Sequence, residues 1–195
     1  MLFANIVDNF ILDSKKAKQV SNAFSLILDD NGADLFKNTH FIKHKLLGSE
    51  DYAVNYIAAA YHDQDRNEYG DKKTPHYHLI IEFEGRMQLQ TCFNWICKKF
   101  LCNPNQVSIE KCNDIGAQVR YLIHMDDVDK YHYKESIIDD NNFERTSFYL
   151  DHVKIRDEKH LIQIIYEHPS KADLLRILGK KQYKEWRFAI LDLTR

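Results

Sequence analysis

The sequence predicts an α+β fold: a central antiparallel sheet with helices packed on one face, followed by a small C-terminal helical element. Three observations carry this reading. Strand-like apolar runs and amphipathic segments follow the order strand, helix, strand, strand, helix, strand, helix, which is that of a split βαβ sheet. After Phe148 the pattern becomes purely helical. A chain of 195 residues, 44% apolar and 29% charged, suits one well-buried domain with an appendage.

Residues 1–20 read as an N-terminal extension, weakly helical to about Lys18, with apolar Ile6, Phe10 and Ile11. Residues 21–148 form the main domain and 149–195 the helical element. The first strand is Ala23-Phe-Ser-Leu-Ile-Leu28, stopped by the turn signal Asp29-Asp30-Asn31-Gly32. Leu35, Phe36, Ile42 and Leu46 fall at helical spacing over residues 33–47, with Gly48 as the stop. Residues 53–61 form a second strand, apolar enough to be central, and 76–83 a third. The polar loop between them contains Gly70 and Pro75. An amphipathic helix over 87–101, a short strand over 106–110 and a helix over 115–125 complete the domain. In the tail, helices are expected near 158–166 and 171–178, then an aromatic-basic end at Tyr183, Trp186 and Phe188.

Composition excludes some classes. No apolar stretch is long enough to span a bilayer, so no membrane partner is expected. The N-terminal positive charges follow the apolar residues, the reverse of a secretory signal, which points to the cytoplasm. Cys92, Cys97, Cys102 and Cys112 lack the close pairs of a zinc framework and read as buried reduced thiols. The net charge of −2 argues against broad nonspecific DNA binding. From His152 to Phe188 nine Lys/Arg face five Asp/Glu, an excess of four positives that leaves −6 for the remainder. A local DNA site built from a metal and a few cations is compatible with that balance.

The most informative stretch is His76-Tyr77-His78, opening a strand. Histidines two apart on a strand share a face, while Tyr77 points to the core. The preceding strand ends in Tyr61-His62-Asp63-Gln64-Asp65. If the two strands are neighbours, His62 and Asp65 arrive beside the pair. Three imidazoles and a carboxylate suit Mn²⁺, Zn²⁺, Fe²⁺ or Co²⁺, and Mg²⁺ less well. Without thiolates, such a site is catalytic in character. In the helix over 115–125, Ile115, Val119 and Leu122 form the apolar stripe, and Tyr121 lies well off it with His124 three residues on.

The set His62-x-x-Asp65, His76-Tyr-His78 before an apolar strand, and Tyr121-Leu-Ile-His124 resembles the HUH endonucleases, most closely the single-tyrosine rolling-circle replication initiators of plasmids. The segment Asp129-Lys130-Tyr131-His132-Tyr133 looks like the one that follows the tyrosine helix in that family. The resemblance covers roughly residues 23–141, about three fifths of the chain. It implies a sheet of about five antiparallel strands, one divalent ion (Mn²⁺ or Mg²⁺) on His76, His78, His62 and Asp65, and Tyr121 as nucleophile. It also implies metal-dependent nicking and rejoining of single-stranded or hairpin origin DNA through a 5′-phosphotyrosine, with host polymerase and helicase as partners and a possible homo-oligomer.

His124 is a helper candidate for generating the phenolate. Lys43, Lys45, Lys72, Lys73 and Arg120 are candidates for neutralising flanking phosphates. Tyr131 and Tyr133 are available for a second strand transfer but unplaced. The resemblance implies an oligomerisation or accessory DNA- or partner-binding role for the C-terminal element, which carries no specific motif of its own. Other readings remain open: a single-tyrosine transposase or mobilisation relaxase with the same machinery, a water-using metallohydrolase, or a non-catalytic DNA-binding regulator. The last draws on residues 168–179, which faintly resemble half of a helix-turn-helix.

Overall fold

The computed structural model describes residues 10–29, 35–127, 129–151, 158–167, 170–175 and 177–178, with positions 183, 186 and 190 beyond them. Ile6, the turn at Asp30-Asn31-Gly32, Phe188 and part of the helix-turn-helix-like stretch lie outside the described residues.

A short helix, α1 (Ser14–Ala17), leads into β1 (Val20–Asp29). Then follow α2 (Thr39–Leu47), β2 (Val54–His62), β3 (His76–Gln88), α3 (Leu89–Phe100), β4 (Val107–Lys111) and α4 (Ile115–Tyr121). A two-residue strand, β5 (Asp139–Asp140), closes the sheet. The five strands are antiparallel in the order β4-β1-β3-β2-β5, so the α+β architecture with a five-stranded sheet holds.

Period-two alternation divides the sheet into two faces. On one, Phe24, Leu26, Leu28, Ile57, Tyr77, Leu79 and Ile81 join the main apolar core. Helix α3 covers this face through Leu89, Cys92, Phe93, Ile96 and Phe100, a helical stripe of the predicted kind. Ile42 and Leu46 of α2 complete the cover. Asn38 caps α2 by accepting from the Phe41 amide at 2.8 Å, and the helix ends at Gly48. All four cysteines are buried as free thiols.

Of the predicted strands, β1 and β3 run longer, β2 and β4 are shifted by one residue, and α2 is shorter at its start than residues 33–47 imply. β5 was not anticipated. It pairs with β2 through Ala58 opposite Asp140, and the Lys43 ammonium binds Asp139 and, at 3.0 Å, the Asp140 carbonyl. Helix α4 is the exception to a one-sided cover, since it crosses the opposite face, where Ser25 Oγ donates to Gln118 Oε1 at 3.0 Å.

The chain divides into two compact units, residues 1–143 and 144–195. The second contains most of α5 (Phe143–Asp151), then α6 (Glu158–Glu167) and helical residues 171–175. Its buried apolar residues include Leu161, Ile164, Ile165 and Leu174. Among the described residues, no helix is long and apolar enough to cross a membrane.

Candidate metal centre and adjoining tyrosine

The β2–β3 register sets His62 opposite His76 and Ala60 opposite His78. His76 and His78 share the face opposite the main core, while Tyr77 between them packs edge-on against Phe36 in that core. Asp65 returns to this face from just beyond β2. All four residues are buried, from 0% exposure for His62 to 8% for Asp65. One ligand atom from each lies within 4.8 Å of all the others.

The hydrogen bonds around the cluster fix where its lone pairs point. His76 Nδ1 lies 2.8 Å from the Thr74 carbonyl. A carbonyl only accepts, so Nδ1 carries the proton and Nε2 the lone pair. That Nε2 faces His78 Nε2 at 3.1 Å and Asp65 Oδ2 at 3.6 Å. His62 Nε2 likewise donates to the Leu122 carbonyl at 2.7 Å, which turns the Nδ1 lone pair of the neutral ring toward Asp65 Oδ2 at 3.3 Å. Two ring nitrogens with lone pairs, His78 Nε2 and a carboxylate oxygen therefore converge on one point, an electron-rich set of donors that a cation could occupy. The donor set fits a divalent ion, with backbone carbonyls holding the ring tautomers as metal-ligating histidines require. Burial, and then the neighbouring His62 and His76, push the His78 imidazole down to about 2, so it stays neutral with a lone pair to give. Burial alone would raise Asp65, but with His62 protonated at both nitrogens the hydrogen bond and charge of that ring outweigh it and hold the carboxyl below its usual range; a bound metal ion would replace that proton.

Tyr133 belongs to this shell. Its hydroxyl donates to Asp65 Oδ1 at 3.1 Å and accepts from the Gln64 amide at 2.8 Å. Its ring stacks on His62 with centroids 4.3 Å apart and a 20° interplanar angle. Burial raises the phenol above its usual range, and the neighbouring Asp65 carboxylate adds to this. Tyr133 is thus engaged in orienting Asp65.

Tyr121 is the last residue of α4. Asp114 caps that helix by accepting from the Ala117 amide at 3.0 Å, and buried Val119 seats it on the sheet. The half-buried Tyr121 ring meets His78 edge-on at 5.4 Å between centroids. Its hydroxyl accepts from Lys130 Nζ at 2.9 Å, and the same ammonium lies 4.4 Å from the ring centroid. Asp127 holds Lys130 from the other side at 3.0 Å. Burial lowers the Lys130 ammonium, but its bonds to Tyr121 and Asp127 leave it raised on balance.

The expected helix over 115–125 ends early because His124 takes a left-handed φ of 56°, costly for a residue with a Cβ. His124 is fully buried and donates from Nδ1 to the Tyr131 carbonyl at 2.8 Å. Its buried Nε2 has no hydrogen-bond partner among the described residues. Burial is the main cause holding this imidazole below its usual value.

The expected phosphate-neutralising cations fare differently. Arg120 is not a surface charge: it is 3% exposed, and its Nε donates to Asp126 at 3.0 Å. Lys43 is committed to β5 as described, and a charge paired in that way is not offered to solvent. Lys45 lies over the rings of Phe41 and Phe100, with the core on the opposite face of the sheet. Lys72 and Lys73 are exposed, and Lys73 lines a cavity of about 350 Å³ together with Asp65, Arg66 and Lys130. The sequence suggested no role for Lys130 and only a second strand transfer for Tyr133. Their appearance in the segment following the tyrosine helix was the one available signal.

Comparison with known proteins adds the family. Residues 15–146 match the family model described as plasmid replication protein, origin binding domain. A replication protein RepB of Lactiplantibacillus plantarum is 32% identical over 78 residues, covering 40% of this chain and 34% of the relative. A replication protein of Staphylococcus aureus is 28% identical over 87 residues, covering 44% of this chain and 41% of the relative. The chain thus matches well under half the length of these curated relatives.

Proposed function

The chain belongs to the plasmid replication proteins with this origin-binding domain, and from that premise we propose that it initiates rolling-circle replication by nicking and rejoining single-stranded or hairpin origin DNA, as an HUH endonuclease with one catalytic tyrosine. One observation carries the proposal: the Tyr121 ring sits against His78, on the face where His62, Asp65, His76 and His78 converge.

In this reading Tyr121 Oη attacks the scissile phosphorus. The new bond joins phosphorus to the phenolic oxygen, the bond to the 3′ oxygen breaks, and a 5′-phosphotyrosine and a 3′-hydroxyl result. His62, Asp65, His76 and His78 would hold a divalent cation, which when bound supplies Lewis-acid stabilisation of phosphate charge. Lys130 donates to the Tyr121 oxygen and favours its anionic form. His124, whose ring lies 5.1 Å from that of Tyr121 and whose Nε2 has no hydrogen-bond partner among the described residues, is the proposed acceptor of the phenol proton once the hydroxyl moves into bonding reach. Tyr133 keeps Asp65 turned to the centre. Because the ester retains the phosphodiester bond energy, a 3′-hydroxyl can later reverse the step and rejoin a strand. The free 3′-hydroxyl is also the end from which a host polymerase would extend.

The test is a labelled single-stranded origin oligonucleotide with Mn²⁺. Wild-type protein should form a covalent adduct, and Tyr121→Phe should bind without forming one. A persisting adduct would move the nucleophile elsewhere, and cleavage without any adduct would point to a hydrolase using water. Binding without cleavage in any divalent metal would leave an origin-binding regulator. His76→Ala with His78→Ala should abolish cleavage while leaving the fold intact.

A further inference from the structure

Beside Tyr121 and His78, away from Asp65, the sheet continues into a second polar hollow whose chemistry differs from that of the metal centre. The register aligns His78 with Ile27 on β1 and Ile27 with Ser108 on β4. One row further along, Ser25 stands opposite Glu110. Ser25, Ile27, Ser108 and Glu110 therefore share the face that carries His78, and Gln118 of α4 walls them in. Together with Tyr121 they enclose a cavity of about 250 Å³. The walls come mainly from strands and a helix, which hold a site more rigidly than loops do.

This lining contains no lysine or arginine and includes the Glu110 carboxylate, so it disfavours a phosphate. By contrast, the cavity at Asp65 has Arg66, Lys73 and Lys130 on its wall. The half-buried Ile27 offers an apolar surface to a planar ring. Ser25 Oγ donates to Gln118 Oε1 at 3.0 Å, which orients the amide and leaves its NH₂ free to donate. Glu110 only accepts. Lys16 lies 3.8 Å from one of its oxygens and the Glu110 side chain is 75% exposed, so it can still take a donor from a ligand.

We propose that this hollow reads one nucleobase adjoining the scissile phosphate and selects a base with an exocyclic amino group over thymine. Adenine, cytosine and guanine each bring an NH₂ for Glu110 and a ring or carbonyl acceptor for the Gln118 amide. Thymine has no amino group, and its one donor, N3–H, lies between two carbonyls, so a carboxylate that accepts from it has its second oxygen set against a carbonyl oxygen. The inference rests on the proposed reading of single-stranded DNA as the ligand of the histidine face, but it does not require that the DNA be cut.

The test uses full-length Tyr121→Phe, which retains binding without strand transfer, to select ligands from a random single-stranded DNA pool. One position should show thymine depleted on the order of tenfold, the discrimination expected of a side-chain pair to a base edge. Adding Glu110→Gln should remove that depletion while preferences at other positions persist. Adding Gln118→Ala should weaken the same position, and Ser108→Ala serves as a neighbour on the same strand. Thymine accepted equally at every position, or depletion unchanged in both added variants, overturns the proposal. Base selection by Tyr121→Phe without adduct formation by wild type would keep this site and remove the strand-transfer reading, so the two fail separately.

Discussion

In the proposed mechanism, removing Lys130 should slow attack by Tyr121 while leaving the metal centre assembled. Its ammonium donates to the Tyr121 oxygen at 2.9 Å and is held there by Asp127 at 3.0 Å. Lys130→Met keeps a chain of similar length and apolar contact with the ring but deletes the charge. A charge-assisted hydrogen bond contributes about 1.5–3 kcal/mol. The Lys130 side chain is 35% exposed, so solvent screening places the effect at the lower end. About 1.5 kcal/mol corresponds to roughly a tenfold slower attack. The measurement is single-turnover adduct formation at saturating oligonucleotide and Mn²⁺, with affinity determined separately by fluorescence anisotropy. The rate should fall while affinity changes little, Lys130→Arg should recover part of the loss, and Asp127→Asn should show a smaller one. An unchanged rate, or a loss that appears wholly as weaker binding, would refute the role assigned to the ammonium.

Tyr133→Phe removes the donor to Asp65 Oδ1 and should weaken Mn²⁺ binding by about tenfold in calorimetry, as expected for an outer-shell partner; equal affinity would show that the hydroxyl does not orient the carboxylate. Lys43→Met leaves the Asp139 carboxylate, 23% exposed, with the exposed His40 imidazole 3.6 Å away in place of its ammonium partner. It should cost about 1–3 kcal/mol in urea unfolding with no change in affinity for single-stranded DNA, whereas a role in phosphate binding would reverse that pattern. Mn²⁺ at about a hundredfold above its dissociation constant should add about 2.7 kcal/mol of stability, visible as a raised melting temperature that EDTA cancels. The His76→Ala/His78→Ala variant should show no such rise.

The parts of the architecture legible in the sequence were those governed by a short repeat. Alternation in His76-Tyr77-His78-Leu79 places both imidazoles on one face, and the stripe Leu89, Cys92, Phe93, Ile96 and Phe100 marks α3. What escaped depends on contacts that no local pattern encodes. The strand Asp139–Asp140 has two residues of low strand propensity and exists because Lys43 and the β2 edge hold it. Lys130 reaches Tyr121 only because the chain reverses after α4, helped by the left-handed His124, whose conformation its residue type does not announce. Tyr133 meets Asp65 across 68 positions. Arg120 looked like a surface cation from its place beside Tyr121, but Asp126 supplies a partner that turns it inward. Burial of a charge is decided by such a partner rather than by helical phase.

The bond from His62 Nε2 to the Leu122 carbonyl joins an imidazole of the proposed ion site to the backbone directly after Tyr121. One contact therefore sets both the aim of a ligand and the seat of the phenol. Truncating His62 would disturb two functions at once, and lost cleavage in that variant would not reveal which had failed. His76, whose described side-chain contacts are with Thr74, Asp65, His62 and His78 and include neither the Tyr121 ring nor the Leu122 carbonyl, is the cleaner place to subtract the ion while leaving the phenol where it stands.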